Sequence, residues 1–157
     1  QLLEKGKGSE KDFWGIFVKK ANVTKPLPKK SLLLRSFVKY YGRHDDVLRI
    51  VSQLKRLKIK VAVLSNTILP HAEYQYKIGI YQQFDVVVLS SETGLDKSAL
   101  EAYDLVFAKL KTKPAETFLV DDDANYVQSA NRFGIHGILY RNPKQLLHEL
   151  RDLGIKI

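Results

Sequence analysis

Three consecutive carboxylates, Asp121, Asp122 and Asp123, follow an apolar run at 117–120 and precede a segment of helical spacing that ends at Gly134. This order predicts a buried strand, an acidic turn and a helix. Adjacent carboxylates repel one another unless a cation neutralises them, and Mg²⁺ prefers such oxygen ligands. One of the three could instead cap the helix, since caps favour Asp. Because a cap needs only one carboxylate, we favour an ion site.

Two further polar clusters follow predicted strands. Ser65, Asn66 and Thr67 end one apolar run, and Lys97 closes the polar loop 90–96 that follows another. Parallel strands bring all three clusters to the same edge of a sheet, where such sheets bind ligands. Together the clusters offer a hydroxyl, backbone N–H groups, an ammonium and carboxylates. A phosphoryl group held with Mg²⁺ requires this set.

The elements that must position these groups alternate strictly from residue 45 onward. The predicted strands are 60–67, 84–89, 117–120 and 135–140. The predicted helices are 45–57, 69–78, 98–110, the segment before Gly134, and 144–153. Such alternation predicts an α/β fold, a three-layer Rossmann-like parallel sheet with helices on both faces.

The first 43 residues contain predicted helices only. Ser9 and Asp12 have the spacing of a capping box at the start of a helix. The predicted elements here are helix 10–21, a loop at 23–28 and helix 30–41. We therefore divide the chain into a small helical unit, 1–43, and an α/β core, 44–157.

Composition excludes several classes of function. The chain of 157 residues has no cysteine, which excludes disulfides, thiol nucleophiles and thiolate metal sites. No apolar run approaches membrane-spanning length, and no signal peptide is evident, so we expect a cytoplasmic protein without membrane contact. The net charge is +9, and residues 1–60 hold 16 Lys and Arg against 5 Asp and Glu. We rank a solvated basic face first, attraction of small anions second and nucleic-acid binding last.

The three polar clusters resemble motifs of the haloacid dehalogenase superfamily of hydrolases. The resemblance is greatest to the branch with a small helical cap, which includes phosphatase-like domains fused to epoxide hydrolases. The second, third and fourth motifs of that family are matched by Val63-Leu-Ser-Asn-Thr67, Ser91-Glu-Thr-Gly-Leu-Asp-Lys97 and Phe118-Leu-Val-Asp-Asp122. Residues 1–43 would then be part of the cap.

The resemblance implies a role for each polar cluster. Ser65, Asn66 and Thr67 would bind the phosphoryl oxygens of a small phosphorylated substrate, Ser65 through its hydroxyl and Asn66 through its backbone N–H. Lys97 would balance the charge between nucleophile and phosphate. Asp122, aided by Asp121, would hold Mg²⁺.

Three departures from the family pattern are present: the absence of its first motif, Tyr126, and the lesser change at Ser98. The first motif, a strand ending in Asp-x-Asp that supplies the nucleophile and the general acid–base, is absent. The chain contains no methionine, so we expect it to begin in mid-sequence, with that motif upstream of Gln1. Tyr126 stands where the family usually has Asn or Asp, and Ser98 stands where Pro is common.

In the family, the missing strand lies in the middle of the sheet. Its loss removes ~8–10 hydrogen bonds worth about 1 kcal/mol each. It also removes several buried aliphatic side chains at roughly 1.5–3 kcal/mol each. That sum matches or exceeds a typical total stability of about 5–15 kcal/mol. We therefore expect that these residues are not the whole folding unit, and that the strands on either side of the missing one do not pair directly.

The resemblance favours a Mg²⁺-dependent phosphatase that works through an aspartyl-phosphate. A catalytically inactive relative that binds a phosphorylated ligand or a protein partner is the first alternative, motivated by Tyr126 and the missing motif. A 2-haloacid dehalogenase is the second, and the run Asp121–Asp123 argues against it because that chemistry uses no metal. Neither the substrate nor the oligomeric state is indicated by the sequence.

Overall fold

The computed structural model describes residues 3–24, 26 and 30–157. Its helices are α1 (Glu10–Lys20), α2 (Leu32–Tyr40), α3 (Asp45–Arg56), α4 (Leu69–Lys77), α5 (Ser90–Thr93), α6 (Leu100–Leu110), α7 (Ala124–Arg132) and α8 (Pro143–Asp152). Its strands are β1 (Ala62–Ser65), β2 (Val86–Leu89), β3 (Phe118–Asp121) and β4 (His136–Leu139). Within these ranges no helix has the length and apolar character needed to cross a bilayer.

The four strands form two parallel pairs. In the first, β1 runs beside β2 with Ser65 opposite Leu89, and in the second β3 runs beside β4 with Asp121 opposite Leu139. Among the described residues no backbone ladder joins one pair to the other. The pairing of β1 with β3 that would contradict the missing-strand interpretation is therefore not seen.

Both strand pairs nevertheless share the same hydrophobic layers. On one face, Leu64 of β1 and Leu119 of β3 pack against one cluster from α6 and α7. On the other face, Val61 just before β1 and Val120 of β3 pack against one cluster from α3 and α8. Side chains of a strand alternate between its two faces, so these contacts place β1 and β3 in a single layer. The predicted arrangement of a parallel sheet with helices on both faces is confirmed.

The loop predicted at 90–96 is partly wrong, because it contains the short helix α5. The Thr93 hydroxyl donates to the Leu89 carbonyl at 2.9 Å, and the Gly94 N–H donates to the Ser90 carbonyl at 2.8 Å. Gly94 has φ +73°, a left-handed conformation that glycine adopts without strain and that ends the turn. The polar composition predicted the loop but not this single helical turn.

The N-terminal helices are less buried than the others. The capping box predicted at Ser9 and Asp12 is confirmed, with the Ser9 hydroxyl accepting from the Asp12 N–H at 3.2 Å. Neither α1 nor α2 has a buried side chain among the described residues, whereas α3 has four. The loop predicted at 23–28 lies partly outside the described residues. The division at residue 43 stays a prediction.

The segment before α1 contacts the loop that leads to Lys97. Gly6 has φ +62°, and a Cβ placed there would lie 2.4 Å from the backbone oxygen of Ser91. Only glycine permits so close an approach of two backbones. A second contact lies between α2 and α4, where the Phe37 ring stacks on His71 with centroids 4.0 Å apart. The N-terminal residues therefore contact the α/β part at two separate places.

Candidate functional site

Asn66 connects all three polar loops through its side-chain amide. Its Oδ1 accepts from the backbone N–H of Lys97 at 2.8 Å, and its Nδ2 donates to Asp96 Oδ2 and to the Tyr126 hydroxyl, each at 3.2 Å. Asn66 follows β1, Asp96 and Lys97 lie between α5 and α6, and Tyr126 lies in the first turn of α7. The carboxyl ends of β1 and β3 are thus linked by one amide group.

Lys97 occupies the centre of this group of residues. Its ammonium forms an ion pair with Asp121 and lies 4.5 Å from the centroid of the Tyr126 ring. The Lys97 side chain is 16% exposed, and that of Asp121 is 3% exposed. An ammonium above an aromatic face gains a favourable cation–π interaction. A positive charge is therefore held at the sheet edge by a carboxylate on one side and a ring on another.

The three consecutive carboxylates have three different environments. Asp121 is the last residue of β3, and its Oδ1 accepts from the Asp123 N–H at 3.1 Å. Asp123 is the N-cap of α7, accepting from the Asn125 N–H at 2.8 Å. Asp122 is exposed and makes no hydrogen bond or ion pair within the described part of the chain. The cap considered for this turn is therefore Asp123, and Asp122 is the carboxylate that no described residue engages.

Asp96 is fixed by its neighbours in sequence. Its Oδ1 accepts from the Ser98 hydroxyl at 2.6 Å and from the Ser98 N–H at 2.9 Å. These bonds to Ser98, together with the one from Asn66, hold the pKa of Asp96 below its ordinary value despite partial burial. The Asp96 carboxylate therefore stays charged and keeps the loop before α6 in place.

Ser65 and Thr67 differ in how their polar groups are engaged. The nearest partner of the Ser65 hydroxyl is the Asn66 carbonyl at 3.5 Å, a distance that makes a weak hydrogen bond at best. Thr67 is buried, and its backbone N–H and C=O bond to the Ser90 hydroxyl at 2.9 and 3.2 Å. Ser65 thus has a hydroxyl that can turn to a ligand, whereas the Thr67 backbone anchors its loop to α5.

The structure brings part of the predicted site into direct contact. Lys97 contacts both Asn66 and Asp121. The Ser65 hydroxyl reaches only the adjacent Asn66 carbonyl, at 3.5 Å, and Asp122 makes no hydrogen bond or ion pair with the described residues. Their roles toward substrate and metal stay predictions. Sequence reasoning missed the part played by Asp96, although the Asp-x-Ser spacing to Ser98 is a known turn signal. It also treated Tyr126 only as a departure from the family and not as a partner of Lys97.

A pocket lies away from this cluster, beside α1. Its volume is about 760 Å³. Most of its lining is apolar, and includes Phe13, Ile16, Phe17, Leu33 and Ile68. Ile68 directly follows Thr67, so this pocket begins one residue beyond the first polar loop.

Comparisons with known proteins agree with this arrangement. A family model described as haloacid dehalogenase-like hydrolase matches residues 10–134. A sesquiterpene phosphatase of Aspergillus oryzae is 31% identical over 109 residues, which are 67% of this chain and 56% of the phosphatase. The chain spans from a tenth to just over half of the length of the curated relatives it matches.

Solved structures show the same fold. A predicted HAD-like family hydrolase from Porphyromonas gingivalis matches with a TM-score of 0.79 and 21% identity, over 99% of this chain and 78% of that one. An enzyme of the same family from Bacteroides thetaiotaomicron, solved with magnesium and inorganic phosphate, matches with a TM-score of 0.74 and 23% identity, over 89% of this chain and 73% of that one. With the family model covering most of its length, the chain belongs to the haloacid dehalogenase-like hydrolases.

Proposed function

We propose that this chain is part of a Mg²⁺-dependent phosphatase that acts on a small phosphorylated metabolite. The observation that carries the proposal is the ion pair of Lys97 with Asp121, the residue directly before the exposed Asp122. A cation and a free carboxylate at one sheet edge suit a phosphoryl group bound together with a metal ion. The phosphatase among the relatives, and the neighbouring structure solved with magnesium and phosphate, support the same chemistry.

Each polar residue has a proposed part in holding the phosphoryl group. The Ser65 hydroxyl and the Asn66 backbone N–H donate to phosphoryl oxygens, and Thr67 closes their loop. Lys97 offsets the negative charge that accumulates between the phosphate and the attacking group. Asn66 holds the backbone of Lys97 at 2.8 Å, so the loop that carries the ammonium does not need to reorganise as the reaction proceeds.

The residues present fit a magnesium ion. Mg²⁺ is commonly held by one or two carboxylates, with waters and substrate phosphate completing its octahedron. Asp122 offers an exposed carboxylate, and Asp121 offers a second that is shared with Lys97. Within the described ranges no three His, Cys, Asp or Glu residues lie close enough together to hold a metal ion. An ion at this place would therefore need further ligands besides Asp121 and Asp122. When bound, Mg²⁺ would neutralise phosphate charge.

The nucleophile is proposed to come from a strand between β1 and β3. Its Asp carboxylate would attack phosphorus and expel the alcohol of the substrate as that oxygen takes up a proton. Water would then cleave the acyl phosphate, which releases inorganic phosphate and restores the carboxylate. Residues 1–43 are proposed to be part of a cap over this edge, and residues 44–157 to be the core.

The test is hydrolysis of p-nitrophenyl phosphate by the complete gene product, with and without Mg²⁺. We expect Mg²⁺-dependent turnover that falls at least a hundredfold in Asp122→Asn. Asp123→Asn is the matched control, because Asn caps a helix about as well as Asp while removing the same charge. Loss of activity in both variants, or in neither, would refute the assignment of Asp122, rather than Asp123, as the metal ligand. An absence of Mg²⁺-dependent turnover would refute the phosphatase.

A binding protein without catalysis is the second candidate. Tyr126 favours it, because its ring lies directly against Lys97 and narrows the space at that ammonium. The same assay separates the two functions. Tight binding of inorganic phosphate with no turnover, in a complete gene product that does contain a strand between β1 and β3, would establish the binding protein.

A further inference from the structure

The orientation of the Asn66 amide is determined by an unambiguous donor. The backbone N–H of Lys97 can only donate, so the Asn66 atom facing it at 2.8 Å must be the oxygen. The other atom of the amide is therefore nitrogen, and it donates to Asp96 and to the Tyr126 hydroxyl. In this bond the Tyr126 oxygen is an acceptor.

Because its oxygen accepts from Asn66, the Tyr126 hydroxyl retains its own proton for another partner. No acceptor for that proton is recorded within the described part of the chain. Partial burial raises the pKa of Tyr126, and the carboxylates of Asp96, Asp123 and Asp121 raise it further, against an opposing effect of the Asn66 bond. The phenol therefore remains protonated well above neutral pH and can act as a donor.

The location of Tyr126 brings this donor next to a cation. The Lys97 ammonium lies 4.5 Å from the centroid of its ring, and the side chain of Tyr126 is only partly buried. An anion bound at the Lys97 ammonium would therefore lie near the Tyr126 ring. Two donors of different chemistry, an ammonium and a hydroxyl, lie close together. Asn66 bonds to the phenol oxygen and to the backbone of Lys97, while Asp121 holds the ammonium.

We propose that Tyr126 is an anion-binding residue whose hydroxyl donates a hydrogen bond to an oxygen of the phosphoryl group held by Lys97. The inference rests on the proposed function and adds a residue to it. The donor contributes equally to the bound substrate and to the transition state, since it contacts a phosphoryl oxygen throughout. Such uniform binding changes KM and leaves kcat unaltered.

The experiment compares Tyr126→Phe with Tyr74→Phe in the complete gene product. Tyr126→Phe removes the hydroxyl and keeps the ring above Lys97, while Tyr74→Phe removes a phenol hydroxyl from α4. By calorimetry we expect the Kd for inorganic phosphate to rise about tenfold in Tyr126→Phe, as for loss of a hydrogen bond to a charged group. KM for p-nitrophenyl phosphate should rise similarly, with kcat within about twofold. Tyr74→Phe should leave all three constants unchanged.

Unaltered phosphate affinity in Tyr126→Phe would overturn the inference and leave the phosphatase standing. A wild-type protein that neither binds phosphate nor turns over the ester would overturn both. If Tyr126→Phe does not fold, 3-fluorotyrosine at position 126 replaces it, because fluorination makes the phenol a stronger donor without changing its shape. Tighter phosphate binding then supports the inference, and equal or weaker binding refutes it.

Discussion

The ammonium of Lys97 and the carboxylate of Asp121 form the most enclosed ion pair of the described residues. Their side chains are 16% and 3% exposed, whereas the members of every other ion pair found there are at least 35% exposed. Lys97 lies in the loop before α6 and Asp121 ends β3, so the pair joins two segments that are distant in sequence. It therefore contributes to the fold as well as to the proposed site.

Lys97→Ala should lower the free energy of unfolding by about 3 kcal/mol, because it leaves the Asp121 carboxylate buried without its partner. Urea denaturation followed by circular dichroism measures the change. Lys55→Ala is the control, since Lys55 pairs with Asp85 at 3.0 Å near the surface, where a pair is worth less than about 1 kcal/mol. Equal losses in the two variants would show that enclosure of the Lys97 pair has no energetic consequence.

Asp123→Ala should cost about 1 kcal/mol of stability, since it removes the side-chain cap of α7. Asp123→Asn should restore most of that loss, because the amide oxygen can accept from the same Asn125 N–H. Asp122→Ala, the adjacent substitution, should be nearly neutral because Asp122 caps nothing. Thermal unfolding of the three variants tests this order. A greater loss at Asp122 than at Asp123 would contradict the assignment of the cap.

Gly137→Ala should destabilise the protein by about 1–3 kcal/mol through overpacking. A Cβ at this position of β4 would lie 2.8 Å from the backbone oxygen of Val127, which α7 holds in place. Gly15→Ala is the opposite case, because a Cβ there meets nothing within 4 Å in the middle of α1. That substitution should stabilise by roughly 0.5–1 kcal/mol, as expected for replacing glycine in a helix. Chemical denaturation of both variants is sufficient, and a shift of the same sign in both would refute the packing argument.

Asp96 should make stability fall in acid. Its hydrogen bonds to Ser98 lower the pKa in the folded state, so the unfolded chain binds the proton more readily. The contribution of Asp96 to the free energy of unfolding is therefore fully present above the unfolded pKa of about 3.9, and it is lost as the pH falls through the lower pKa of the folded state. NMR titration of the Asp96 carboxyl should show its pKa rising toward the ordinary value in Ser98→Ala. Ser52→Ala, whose hydroxyl bonds to Leu48, should leave it unchanged.

The sequence predicted the layers of the fold because their signal is local. Alternating apolar and polar runs define each strand and helix, and the ends of parallel strands must lie at one edge. It also predicted that Val61–Leu64 and 117–120 would not pair, because the resemblance to the family supplied the strand order. The short helix α5, Ser90–Thr93, was not predicted because a single turn has too few residues to show helical periodicity.

The side-chain contacts within the site were harder to predict from the sequence than the layers of the fold. Asn66 was expected to act through its backbone, whereas its side chain links three loops separated by 30 to 60 residues. Contacts between residues so far apart depend on the tertiary fold and leave no local pattern. The adjacent carboxylates of Asp121, Asp122 and Asp123 were distinguishable only once strand, cap and exposed turn were seen in three dimensions.

The two separate strand pairs have a consequence for handling the protein. On the sides turned away from β2 and β4, the strands β1 and β3 each present backbone N–H and C=O groups that no described strand satisfies. Open edges of this kind recruit extended peptides and promote self-association. Expressed as these 157 residues, the polypeptide should therefore aggregate as its concentration rises, and a soluble peptide of matching β-strand propensity should suppress that aggregation.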